Sequence, residues 1–252
     1  FTSEKGNILI DSDYTAQEDL LFVNFSQEKK MIEFYLGDEG DGHSYVARLC
    51  FPEELGDMTL EEIKKNRPDL RSLAKSAKFA IHYGGTGFTI ANNLNLTEAE
   101  GERVYNSYLK AFPGINKYLK QVQNKAKKKG YIEISNFTGR KYWCENFRDI
   151  EHNFREVSKF AKLACNYPIQ AAAAETVKIA AIYFYGWIIE NNYFGKVLIC
   201  GFIHDEILVE CPKEMAEKVA LKLKECMEIG GSYFCKTVPL KAVPEIAEYW
   251  CH

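Results

Sequence analysis

Apolar positions along this chain follow two patterns: short unbroken runs, and longer stretches with helical spacing. Gly6 to Tyr14, GNILIDSDY, is a short apolar run ending in carboxylates at Asp11 and Asp13. Lys196 to Cys211, KVLICGFIHDEILVEC, holds two more runs around the charged triplet His204-Asp205-Glu206. Runs this short and rich in Val and Ile predict buried strands. With only three residues between Val197–Ile203 and Ile207–Val209, the pair predicts an antiparallel hairpin. A last strand is expected over Val238 to Val243, and Phe1 to Lys5 is expected to fray.

Between the first strand and the hairpin the period turns helical. Leu20, Leu21, Val23, Met31, Ile32 and Tyr35 predict one amphipathic helix to about Leu36, stopped by Gly37. Glu39 to His43 reads as a Gly-rich acidic loop. Thr59 with Glu62, and Thr97 with Glu100, are capping boxes that open helices near Leu60 and across Asn95 to Phe112. Pro68 and Gly84-Gly85 bracket a helix from Asp69, and Gly130 ends a basic helix over Ile115 to Lys129. Tyr131 to Tyr142 reads as a strand-like excursion around the turn Thr138-Gly139-Arg140. Asn153 to Ile189 reads as helical, interrupted near Pro168. Pro212 opens a helix through Met227, ended by Gly230-Gly231. The order predicts an α+β fold, a small antiparallel sheet backed by helices, with a mostly helical insertion of about 140 residues.

The strand ends suggest chemistry. Carboxylates raised on a rigid sheet suit a hard cation such as Mg²⁺, which takes oxygen ligands in an octahedron. The alternative is a polar turn between two core strands. If the first strand neighbours the hairpin, Asp13 and Asp205 can share a pair of metal ions for phosphoryl transfer. In the helix from Asp69, Arg71, Lys75, Phe79 and Tyr83 recur every four residues and form one stripe, cationic at its start and aromatic at its end. A nucleoside triphosphate has the same polarity. Farther on, NYPIQAAAAE (Asn166 to Glu175) has an Ala run small enough for a duplex or another helix to approach, and Gln170 there suits minor-groove acceptors common to all base pairs.

Composition adds three bounds. The chain is 46% hydrophobic and 13% aromatic, ordinary for a globular protein, and no apolar run approaches the roughly 20 residues of a membrane span. Its eight cysteines include no CxxC pair, which suggests buried thiols in a reducing compartment. Net charge is −3, yet Lys110 to Lys162 carries 13 Lys and Arg against 5 Asp and Glu. A cationic segment in an acidic chain fits a polyanion partner, although Lys127-Lys128-Lys129 alone reads as a solvated helix face.

These residues together resemble the polymerase part of family A DNA polymerases, the polymerase I type, over nearly the whole chain. Asp13-Tyr14 through Glu18 is similar to motif A, the Arg71, Lys75, Phe79, Tyr83-Gly84 row to motif B, and His204-Asp205-Glu206 to motif C. Arg140, the Asn166 and Gln170 segment, and the C-terminal segment ending at Trp250 and His252 also match. The resemblance implies a right-hand palm with a helical fingers insertion: palm over 1–18 and 161–252, fingers over 19–160, the nucleotide-binding helix at about 69–83. It implies template-directed addition of dNTPs to a primer 3′-OH with two Mg²⁺ ions held by Asp13, Asp205 and the Tyr14 carbonyl. Arg71 and Lys75, helped by His43, would grip the triphosphate, and Lys75 would also donate a proton to pyrophosphate. Phe79 and Tyr83 would pack on sugar and base, and Glu18 would close against the ribose 2′ position. Arg140, Asn166, Gln170 and His204 would hold primer–template DNA. Glu206 is expected near the metals without being a full ligand.

The chain departs from the family pattern in places. Gln17, Asp19 and Leu20 flank Glu18 where the family favours apolar residues and an Arg. Ala171-Ala172 replaces a Gly-Thr pair, and the family's thumb and first palm strands are not found ahead of motif A within these 252 residues. The sequence therefore leads us to expect one part of a split or processed enzyme, completed by a second polypeptide carrying thumb and first palm strands. The first strand would then present an unpaired edge, and the protein would work in the cytoplasm of a bacterial or phage-infected cell, or in an organelle, with no membrane partner. The rivals are a single-subunit RNA polymerase, disfavoured by Glu18, and a catalytically idle DNA-binding fragment, disfavoured by retention of both Asp13 and Asp205.

Overall fold

The alternation in NILIDSDY becomes strand β1 (Asn7–Tyr14) in a computed structural model that describes residues 1–37, 40–135, 137–144 and 152–250. By internal contacts the chain divides into two compact units, Phe1–Asn24 with Gln170–His252, and Phe25–Ile169.

In the first unit β1 lies inside a four-stranded antiparallel sheet with β4 (Leu198–Ile203), β5 (Glu206–Pro212) and β6 (Ala242–Ala247), in the order β4-β5-β1-β6. β1 pairs with β5 on one side and β6 on the other, so it is not the open edge expected of it. The edges are β4 and β6. Successive side chains of a strand point to opposite faces. One face of β1 therefore takes Ile8, Ile10, Ser12 and Tyr14, and the other takes Leu9, Asp11 and Asp13. The first of these faces is backed by helix α11 (Ala216–Ser232), where the buried Tyr14 hydroxyl donates to the Met227 carbonyl at 2.6 Å. Burial, then the neighbouring Cys235, pushes that phenol well above its usual range.

Three expectations for this unit change. α11 starts at Ala216 after a 3₁₀ turn (Lys213–Met215) and runs through Gly230-Gly231. Those glycines serve close packing: a Cβ on Gly230 would stand 2.6 Å from the Thr176 carbonyl, and one on Gly231 2.8 Å from Leu240 Cβ. The last strand begins at Ala242, four residues later than expected. The N-terminus is tied down, since Thr2 bridges Tyr249, Ser3 N–H donates to the Glu248 carbonyl, and Trp250 N–H donates to the Phe1 carbonyl at 3.0 Å.

The second unit is mostly helical, and its divisions fall inside α1 (Gln17–Ser26) and α10 (Phe154–Glu190). The single helix expected to Leu36 is two, α1 and α2 (Lys29–Leu36), broken at Gln27, whose φ is +52°. Glu39 lies outside the described residues. The expected loop around His43 is instead the start of α3 (Gly42–Cys50), N-capped by Asp41. α4 (Pro52–Leu55), α5 (Leu60–Asn66) and α6 (Pro68–His82) follow, α5 with its capping box intact. A helix not anticipated, α7 (Gly87–Leu94), packs tightly on α8 (Glu98–Ala111), which carries the second capping box. Pro113 starts α9 (Pro113–Lys129). The basic excursion is a two-stranded ribbon, β2 (Tyr131–Glu133) with β3 (Lys141–Trp143), backed by Ile132, Ala126, Phe160 and Ala164.

α10 is continuous, with Pro168 inside it rather than interrupting it. It is also long and apolar enough to cross a membrane by length and composition, unlike anything the sequence runs suggested. Phe160, Ala164, Ala172, Val177, Ala180, Phe184 and Ile188 of that helix are buried within the protein itself. The seven described cysteines are free thiols, five of them buried, and burial pushes the Cys50 thiol up to about 12.

Candidate active site

The β4–β5 connection has two residues, not three. His204 and Asp205 form the turn, with φ of +54° at His204, and Glu206 is already the first residue of β5. That shift settles where the triplet points. Asp13 pairs with Glu206 and Asp11 with Leu208 across β1–β5, while Asp11 pairs with Glu245 across β1–β6. Residues directly opposite in an antiparallel pair share a face. One face therefore carries Asp11, Asp13, Glu206 and Glu245, with Asp205 in the turn next to Glu206. Asp13 is exposed and Asp205 half-buried, whereas Glu206 is only 2% exposed. Trp250 accounts for part of that burial: its Nε1–H donates to Glu206 Oε1 at 2.7 Å. His252 lies outside the described residues.

Like charges directly opposite destabilise a sheet. A cation bound on this face would relieve the Asp13–Glu206 and Asp11–Glu245 juxtapositions. The donors are hard oxygens, which suit Mg²⁺ or Ca²⁺ better than a soft metal. Among the described residues no three His, Cys, Asp or Glu side chains form a ready-made metal cage. The chemistry therefore fits a cation of the Mg²⁺ kind, which binds through one or two carboxylates and completes its shell with water and substrate oxygens.

The remaining sequence-predicted residues of the first unit sit nearby in the chain or on α10. Tyr14 ends β1, and Thr15 N–H donates to the Lys241 carbonyl, anchoring the chain just beyond it. Glu18 is half-buried in the first turn of α1, next to a buried Gln17 whose Nε2 donates to the Ala173 carbonyl at 3.3 Å. Gln170 is an exposed residue of α10.

In the second unit, the stripe on α6 lies on its outer side. Lys75 is exposed and Arg71, Phe79 and Tyr83 are half-buried, while Ala74, Ala77, Lys78, Ile81 and His82 turn inward. Tyr83 is the C-cap, followed by Gly84 at φ +75°. Glycine is needed there twice over, for that backbone and because a Cβ would stand 3.1 Å from Lys162 Cα. The sequence reading missed what holds the stripe. Asp41 grips Arg71 in a bidentate pair, Nε to Oδ2 at 2.6 Å and Nη2 to Oδ1 at 2.8 Å. The same carboxylate accepts from Ser44 N–H and Ser44 Oγ–H. These bonds, Arg71's first, hold the Asp41 carboxyl well below the usual carboxylate range. His43, one residue into α3, lies 3.4 Å from Lys78 Nζ, and its ring centroid is 6.3 Å from that of Phe79.

Arg140 is exposed at the foot of the β2–β3 ribbon, its carbonyl accepting from Ile134 N–H at 3.0 Å. Around it the ribbon alternates cations and rings, with Lys141 Nζ 5.0 Å from the Tyr131 ring centroid and 5.8 Å from that of Trp143. Lys125 and Lys129 are both paired with Glu133, so they contribute less free charge than the sequence count implies, while Lys127 and Lys128 are exposed. Asn166 is half-buried on α10, with its Oδ1 buried and unmatched by a donor among the described residues.

The profile of DNA polymerase family A matches residues 1–252. DNA polymerase I of Caldicellulosiruptor bescii is 29% identical over 91% of this chain and 27% of its own length. That of Borreliella burgdorferi is 29% identical over 99% of this chain and 26% of its own length. The chain thus spans about a quarter of the length of these two relatives. Among solved structures, the POL domain of Pol1 from M. smegmatis, in complex with DNA primer-template and dNTP, superposes with a TM-score of 0.84 at 25% identity, over 99% of this chain and 41% of that one. On these matches, together with a small antiparallel sheet presenting carboxylates beside helices, the chain belongs to DNA polymerase family A.

Proposed function

We propose that this chain carries the nucleotidyl-transfer centre of a template-directed DNA polymerase, which adds nucleotides from dNTPs to a primer 3′-OH. The observation that carries the proposal is the acidic sheet face, with Asp13 on the strand beside the hairpin whose turn holds Asp205. Residues 1–18 and 161–252 serve as palm and 19–160 as fingers, a division supported by the two compact units Phe1–Asn24 with Gln170–His252 and Phe25–Ile169. Family A polymerases generally use divalent metal ions. Asp13, Asp205 and the Tyr14 carbonyl would hold two Mg²⁺, which when bound make the primer hydroxyl a better nucleophile and neutralise charge on the leaving oxygen.

The other residues bind and orient. Lys75 neutralises the triphosphate, Arg71 adds the part of its charge that Asp41 leaves it, and His43 is a further donor. Lys75, the exposed cation of the stripe, hands a proton to departing pyrophosphate. Phe79 and Tyr83 offer ring surface to sugar and base, and Glu18 crowds the 2′ position. Arg140, Asn166, Gln170 and His204 hold primer–template DNA, the substrate pair being supported by what the M. smegmatis domain was solved with. Such an enzyme works where DNA is, in the cytoplasm or an organelle.

The test is Asp13→Asn and Asp205→Asn in the protein as its host makes it. Both variants should lose single-nucleotide incorporation while primer–template affinity stays within about twofold of wild type, a phosphate-dominated quantity. Normal turnover by either would overturn the proposal. An inactive wild type that still bound DNA would favour the idle-fragment reading.

A further inference from the structure

Lys78 is only 1% exposed, on the inward side of α6 among Ala74, Ala77 and Ile81. An ammonium in such a place is costly unless it is bonded, and an apolar side chain would fill the position without that cost. The groups around it are informative. Its Nζ lies 3.4 Å from Nδ1 of His43 and 4.9 Å from the centroid of the Phe79 ring. Both neighbours, His43 on α3 and Phe79 on the α6 stripe, are assigned above to the incoming nucleotide, whereas Lys78 falls between the stripe's i, i+4 positions.

We infer that Lys78 is a positioning residue for nucleotide binding, acting through His43; the inference rests on the reading of His43 as a triphosphate contact. An ammonium has three donors and no acceptor, so Nδ1 of His43 must be the accepting nitrogen. The proton of the neutral imidazole then sits on Nε2, the nitrogen left to donate to a phosphate oxygen. The same cation attracts the π face of Phe79. One buried charge thereby orients a hydrogen-bond donor on α3 and a ring on α6. The pairing spans 35 residues of sequence and needs both helices in register.

The experiment is a mutant cycle of Lys78→Met and His43→Ala in the protein as its host makes it, read as KM for dNTP and kcat separately. Losing one orienting hydrogen bond is worth roughly fivefold, about 1 kcal/mol. Lys78→Met should raise KM for dNTP by roughly that factor, leave kcat within about twofold, and change KM by less than twofold once His43 is Ala. The same rise in both backgrounds, or no rise in the first, overturns the inference. If His43→Ala alone leaves KM unchanged, the triphosphate role of His43 fails instead, and the inference with it. Should Lys78→Met not fold, histidine-selective ¹⁵N labelling of the unaltered protein reads the tautomer directly. A His43 proton on Nδ1 would overturn the assignment.

Discussion

Replacing Trp250 with Phe isolates the hydrogen bond that ties down the acid opposite Asp13. The indole Nε1–H donates to Glu206 Oε1 at 2.7 Å, and Glu206 is almost wholly buried. Phe keeps a ring next to Phe1, whose centroid is 5.8 Å from that of Trp250, but removes the donor. Hydrogen bonds to charged groups contribute about 1.5–3 kcal/mol, and indole-to-phenyl truncation of a half-buried ring adds a smaller packing loss. A loss of about 2 kcal/mol lowers the unfolding midpoint by about 4–8 °C in a chain of this size. The assay is thermal and urea unfolding by circular dichroism, which does not depend on tryptophan emission, for Trp250→Phe, Glu206→Met (which leaves no acceptor for the indole) and the double variant. The two changes should be non-additive, with a coupling of about 1–2 kcal/mol. Coupling within about 0.3 kcal/mol of zero would refute the idea that this bond holds Glu206. It would also remove the physical reason for expecting Glu206 not to be a full ligand of a cation bound at this face, namely that one of its oxygens is already committed to the indole.

Two further outcomes follow from the second unit. Asp41→Asn keeps the N-cap of α3 but breaks the ion pair with Arg71, and should cost about 1 kcal/mol at neutral pH for a partly buried bidentate pair. Because the folded carboxyl sits below its unfolded value, that contribution is fully present above the unfolded carboxylate pKa of about 4 and is lost as pH falls through the folded one. Unfolding curves of wild type and Asp41→Asn should therefore converge as the pH is taken below about 4, and a constant gap would contradict the pair. Gly101→Ala should destabilise by about 1–3 kcal/mol in urea despite the better helix propensity of Ala, since its Cβ would stand 2.4 Å from the Gly87 carbonyl and 2.7 Å from Ala91 Cβ. No change in midpoint would mean the α7–α8 crossing relaxes freely.

Where one local rule decided an element, the sequence showed it. Thr59 with Glu62 and Thr97 with Glu100 cap α5 and α8 as expected, because a capping box satisfies its backbone donors within four residues. β1 and the hairpin were visible because short apolar runs have few other uses. Elements went astray where tertiary contact overrode a local signal. Gln27 breaks a helix at positive φ without being glycine, and Gly230-Gly231 continue one because Thr176 and Leu240 come too close for a Cβ. α7 escaped notice because Thr89, Asn92 and Asn93 dilute its apolar period. The outward stripe on α6 could be read from its i, i+4 spacing. Asp41 and Lys78 could not, since each acts through a residue 30 or 35 positions away.

The acidic face follows from the same alternation that builds the core. β1 sends Ile10, Ser12 and Tyr14 to one side, so it must send Asp11 and Asp13 to the other. A register slip of one residue against β5 would exchange the two sets, burying two carboxylates and exposing the residues that pack on α11. That penalty is paired with a second constraint, the Tyr14 hydroxyl bonded to Met227 from the inner face. The position of Asp13 opposite Glu206 is therefore held by hydrophobic burial on the far side of the sheet. A substitution such as Ile10→Thr, on the opposite face of β1 from Asp13 and wholly buried in wild type, should for that reason loosen the acidic face as well as lower the urea unfolding midpoint.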